Sequence, residues 1–213
     1  MIQETTYYDN DKLDRYVRDL SLKSITSDMN FEVSEDMYQE FIKSDLYQVY
    51  IKHFPDAVIS GSSALRLFNM TDREFKSNRF LDKVLHSFRS GCSSRSTIHI
   101  KSIKNPEYVS DLDIINTKYD ESFHVGTRYN TSILENYHGS VYFPNDVTVD
   151  LFTKEKLNFI QYKNIKVSPF VESVRAKAGI IKALKDMDRF GYYGDNKHFQ
   201  DIIKIFKKVG INP

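Results

Sequence analysis

Three carboxylates in this sequence stand where carboxylates are costly. Asp111 and Asp113 in "SDLDII" are two residues apart, so on a strand both point to one face while Leu112 and Ile114 point to the other. Asp150 in "VTVDLF" lies between Val149 and Leu151 in a second strand-like run. A charged group in an apolar strand needs a partner, hydrogen bonds or a cation. Two on one face repel each other, and a divalent metal is the simplest remedy. Mg²⁺ takes hard oxygen ligands, commonly one or two carboxylates plus substrate phosphates, and a pair of ions about 4 Å apart clamps an in-line phosphoryl displacement. Taken singly, each aspartate reads as a turn, edge or cap residue. The combined pattern is what points to chemistry.

A second stretch supports it. In "DAVISGSSALRLF" (56–68) an apolar run breaks into Gly61-Ser62-Ser63 and resumes with helical spacing, as a buried strand does when it turns sharply into a helix. Such a turn offers backbone N–H groups and the positive end of a helix dipole, a ready phosphate site. Gly61 removes the Cβ from the approach and Ser62 adds a hydroxyl donor. The bland alternative is a turn with an N-cap. No G-x-x-x-x-G-K-[S/T] is present, so this is not a P-loop, and no G-x-S-x-G marks Ser62 as a nucleophile.

Cations follow near the C-terminus. Lys182, Lys185 and Arg189 share one face of a helix, with Lys177 about 140° away, and a cationic face opposite three carboxylates suits a triphosphate. A solvated amphipathic helix explains the same spacing. The six histidines show no H-x-x-x-H and no cysteine partners, which argues against zinc.

Strand, Gly-Ser, helix, then D-x-D, then a third aspartate on a later strand resembles the nucleotidyltransferase (polymerase-β-like) superfamily, and within it the abortive-infection type IV toxins of the AbiEii type. The likeness covers roughly positions 55 to 206: "GSSALRLF", "SDLDI", "TVDLF" and a C-terminal helical Lys-x-x-x-Asp, here Lys197 to Asp201. Lys177 is an alternative match to the family lysine. The resemblance implies an NTP held at Gly61, Ser62 and Ser63 with Lys177, Lys182 and Arg189, and Mg²⁺ (or Mn²⁺) held by Asp111, Asp113 and Asp150. It further implies that Asp150 activates the attacking hydroxyl. The acceptor is RNA, tRNA or protein, and a cognate antitoxin is an implied partner. Two departures stand out: 49 positions separate Ser62 from Asp111, where the family has a short connection, and histidine replaces an acid in the C-terminal motif. These departures keep open an alternative, a degenerate nucleotidyltransferase fold serving as a nucleotide-binding or regulatory module. A structural or interaction protein with acidic surface strands is a third reading.

The elements that must position these residues can be read from pattern. Helical spacing runs through "LDRYVRDL" and through "SEDMYQEFIKSDLYQVYIKHF", which Ser34 can cap, and again through 71–88 with Thr71 or Asp72 as cap. "RSGCSSRS" (89–96) reads as a basic loop. Strands are expected at 97–103, 108–115, 139–144, 147–152 and 164–169, and helices near 170–189 and 196–208. The fold class is therefore α+β, a nucleotidyltransferase-like mixed sheet with N-terminal helices and a C-terminal helical part. The organisation is 1–54 helical, 55–168 core with an inserted basic region at 70–105, and 169–213 helical.

Composition bounds the rest. The chain has 213 residues, enough to bury roughly 70% of its unfolded surface. Its net charge of +1 gives no global case for nucleic acid or membrane. Charge is uneven, however: residues 73–105 carry eight Lys/Arg against two Asp/Glu, and 106–153 carry two against eight. A lone Cys92 excludes an intrachain disulfide, and no apolar run has the length of a membrane span. The expectation is a cytoplasmic protein.

Overall fold

A computed structural model describes residues 31–76, 108–109, 111–118, 137–144, 147–186 and 195–210. Its centre is a six-stranded mixed sheet ordered β5-β6-β4-β1-β8-β7, built from β1 (Val58–Ser60), β4 (Asp111–Asn116), β5 (Tyr137–Phe143), β6 (Val147–Thr153), β7 (Ile160–Tyr162) and β8 (Ile165–Val167). Strand β1 runs antiparallel to β4 and parallel to β8, and β4 runs parallel to β6. A separate two-stranded parallel ladder joins β2 (Glu74–Phe75) to β3 (Tyr108–Val109). The α+β class and the mixed sheet agree with the sequence reading.

The pairing follows from side-chain alternation. In β4, Leu112 and Ile114 are fully buried while Asp111 and Asp113 are half-buried, and in β6 Val147, Val149 and Leu151 alternate with Thr148 and Asp150 in the same way. One face of the sheet is thus apolar, and each full burial of Leu, Ile or Val stabilises by about 1.5–3 kcal/mol. Helices cover that face: Phe54, at the end of α2 (Asp45–His53), stacks edge-on against Phe143, whose strand neighbours place it with Val147.

Two local expectations are corrected. The single helix expected over 34–54 is two, α1 (Glu35–Ile42) and α2, because Ser44 caps a new start: its hydroxyl accepts from the Tyr47 N–H at 3.3 Å and donates to the Phe41 carbonyl at 2.6 Å. Ser34 stands at the N-cap of α1 but makes no side-chain cap bond; its N–H donates instead to the Leu67 carbonyl. The helix expected from Thr71 or Asp72 does not start there. Residues 74–75 are strand, since the Phe75 N–H donates to Glu40 Oε1 at 2.7 Å and the Phe75 ring packs on Phe41. The remainder of 71–88, the loop at 89–96 and the strand at 97–103 lie outside the described residues. Strand β7 was not anticipated, its short sequence being mostly exposed.

Behind the sheet, α3 (Gly61–Leu67) packs on α4 (Phe170–Asp186), which packs on α5 (Asp195–Lys208). Phe170, Val174 and Ala178 form the buried stripe of α4, and Ile202, Ile205 and Phe206 that of α5. Each stripe also contains a charge, Lys177 in one and Asp201 in the other. No described helix is long and apolar enough to cross a membrane.

Candidate active site

The site grows from strand register. Ser60 pairs with Asp113, Asp113 with Asp150, and Asp150 with Ser140, so four polar side chains form one row across β1, β4, β6 and β5. Paired residues on adjacent strands share a face, and neighbouring strands lie about 4.8 Å apart. Asp111 pairs with Thr148 one step along, on the same face. Asp150 therefore stands beside Asp113 on the face opposite the core.

Two carboxylates directly opposite each other are mutually unfavourable. The protein offsets part of this with donors. The Ser140 hydroxyl donates a short hydrogen bond to Asp150 Oδ1, and the Ser62 N–H donates to Asp113 Oδ2 at 3.3 Å. The second donor comes from the first turn of α3, whose dipole also favours negative charge there.

The Gly61 turn is tighter than its sequence suggests. Gly61 has φ +57°, the left-handed region, and a Cβ placed on it would lie 1.9 Å from Asp113 Oδ2. The group that comes close to this backbone in the structure is the protein's own Asp113 carboxylate. Ser63 is fully buried, and its hydroxyl donates to the Asp111 carbonyl at 3.1 Å, fastening the turn to β4.

Behind the turn lies a buried ionic chain. Lys177 Nζ donates to Ser62 Oγ at 3.0 Å and to Asp201 Oδ2, while Arg73 Nη2 donates to Asp201 Oδ1 at 2.5 Å. Lys177 and Asp201 are each 3% exposed and Arg73 7%, a depth at which such groups persist only when paired. Lys177, one of the two lysine matches that the sequence offers, stands at the turn. Lys182 lies five residues further along α4, and Arg189 lies outside the described residues. So does nearly all of the basic region 73–105.

Sequence reading missed Arg73 and Ser140. Arg73 falls in a stretch whose spacing reads as the start of an amphipathic helix, where the structure instead has residues 74–75 in a strand; Ser140 is a common residue whose place depends on β5 pairing with β6. Lys177 and Asp201 are each a charge at core spacing on an apolar helical stripe.

The donor set suits a hard cation. Asp113 and Asp150 offer carboxylate oxygens in register on one half-buried face, the ligand type and number Mg²⁺ commonly takes from protein. Among the described residues no group of three His, Cys, Asp or Glu side chains stands within reach of one ion, so Asp111 sits on the same face without closing a three-carboxylate cluster. Comparison with family models, with curated proteins and with solved structures finds no match.

Proposed function

We propose that the protein is a Mg²⁺-dependent nucleotidyltransferase that moves a nucleoside monophosphate from an NTP to a hydroxyl acceptor and releases pyrophosphate. One observation carries this reading: Asp113 and Asp150 are in register on adjacent parallel strands, at the foot of a Gly-Ser turn backed by a buried lysine. Asp113 and Asp150 would hold the cation, Mg²⁺ or Mn²⁺, and Asp111 adds negative charge on the same face. There it would supply charge neutralisation for the phosphates and for the leaving pyrophosphate.

The chain's own groups do the rest. Gly61, Ser62 and Ser63 present the start of α3 to the triphosphate, Ser63 through its backbone because its hydroxyl is engaged. Lys177 sets positive charge behind Ser62; the resemblance assigns Lys182 and Arg189 to the same nucleotide. Asp150 orients the acceptor hydroxyl and takes its proton as the oxygen attacks the α-phosphorus. Ser140, holding one oxygen of Asp150, fixes which oxygen faces the acceptor.

The acceptor is an RNA end, a tRNA or a protein hydroxyl, and a toxin role with a cognate antitoxin in the cytoplasm is consistent with the chemistry. The test is incubation with each NTP labelled at the α-phosphate, plus Mg²⁺ and total RNA or lysate. Label on an RNA or protein band that is lost in Asp113→Asn and Asp150→Asn supports the reading. Tight nucleotide binding with no label transferred would favour a degenerate binding module.

A further inference from the structure

We infer that Arg73 is a positioning residue for the triphosphate side of this site, acting through Asp201 on Lys177; the inference rests on the nucleotidyltransferase reading above. Arg73 lies between α3 and β2, outside both the Gly-Ser turn and the strands that carry the aspartates. Its guanidinium takes one oxygen of Asp201, and Lys177 takes the other.

The division of those two oxygens matters. A lysine ammonium is a compact charge on a flexible four-carbon stem, and its place is set by whatever holds it. Here one buried carboxylate that holds it is Asp201. A carboxylate bound at one oxygen can still turn about its own axis, whereas one bound at both oxygens is fixed in plane and direction. Arg73 supplies the second bond, and arginine suits it because its planar fork stays charged when buried. The position of Lys177 Nζ at Ser62 Oγ is therefore set three links away, in a segment outside the phosphate turn.

A second feature separates positioning from docking. Asp72, next to Arg73, is paired with Lys204 and Lys208 of α5 at 3.2 and 3.3 Å. This exposed tie holds the same segment on α5 without Arg73. Loss of the guanidinium should free the carboxylate without detaching the segment.

The experiment is a double-mutant cycle in the full chain with Arg73→Gln and Lys177→Met. It reads the KM for the NTP, the KM for the acceptor, kcat and thermal stability. Arg73→Gln should raise the KM for the NTP at least ten-fold and leave the acceptor KM within two-fold. In the Lys177→Met background the same change should have less than a two-fold further effect, because the group it positions is gone. Arg73→Lys should recover part of the loss, and it replaces Arg73→Gln in the cycle if the latter does not fold. Equal, additive losses in both backgrounds overturn the inference while leaving the enzyme reading intact. A wild-type protein that neither binds nor transfers any nucleotide overturns both.

Discussion

The Asp113 carboxylate occupies the space into which a side chain at Gly61 would project: a Cβ there would lie 1.9 Å from Asp113 Oδ2. Turn and strand are thus fitted to each other, residue 61 having no room because residue 113 needs it. Gly61→Ala should meet two penalties, the left-handed φ of +57° at about 1–2 kcal/mol and the displacement of Asp113. Thermal or urea melts should show a loss of at least that size, with nucleotide transfer abolished. Combining Gly61→Ala with Asp113→Ala should recover part of the stability and none of the activity. Simple additivity in that pair would contradict the fit.

Asp113→Asn and Asp150→Asn should each reduce transfer by a hundred-fold or more, since phosphoryl transfer depends chiefly on positioning and charge stabilisation. Both variants should stay folded and gain slightly in metal-free buffer, because two carboxylates in register repel each other. Asp150→Asn should retain more nucleotide affinity than Asp113→Asn if its larger role is on the acceptor, as proposed. Calorimetry with a non-hydrolysable NTP analogue separates the two.

Ser140→Ala removes the hydroxyl that holds Asp150 Oδ1. Loss of one charge-assisted hydrogen bond is worth about 1.5–3 kcal/mol, so kcat should fall by ten-fold or more while the NTP dissociation constant stays within two-fold. A change confined to nucleotide affinity would place Ser140 on the wrong side of the site.

Away from the site, Glu35 ties α1 to the β7–β8 hairpin. Hydrogen bonds from Lys163 first, then Tyr162 and Gln39, hold its carboxyl down to about 2 from an ordinary 4.5. A depressed acid contributes stability that is present above its unfolded value and lost as pH falls through the folded one. The tie should therefore weaken between about pH 4.5 and 2, and less salt should make it stronger because the pair is exposed. NMR titration of the Glu35 carboxyl checks this, and a midpoint near 4.5 would refute it.

The strand placement of the candidate site was legible because it rests on period-two alternation. Asp111 and Asp113 share a face whenever 111–116 is a strand, and Leu112 and Ile114 ensure that it is one. What periodicity does not encode is which strands become neighbours: the row from Ser60 to Ser140 exists only through the order β1-β4-β6-β5. The helix expected over 71–88 failed at its start for a related reason. Its apolar spacing is real, but Phe75 is buried by a ladder to β3 and by Glu40, partners distant in sequence. Arg73 was hidden by the same error. Lys177 and Asp201 stand out in the sequence through the family resemblance alone, and only their mutual contact shows that they belong together.

The most direct test compares two labels on one substrate. Each NTP, labelled at the α- or the γ-phosphate, is incubated with the protein, Mg²⁺ and total RNA or lysate, alongside Asp113→Asn. The account predicts that α-label enters an acceptor band, that γ-label leaves as pyrophosphate, and that both events vanish in the variant. Retention of γ-label on the acceptor, or no transfer and no binding with any of the NTPs, would contradict it.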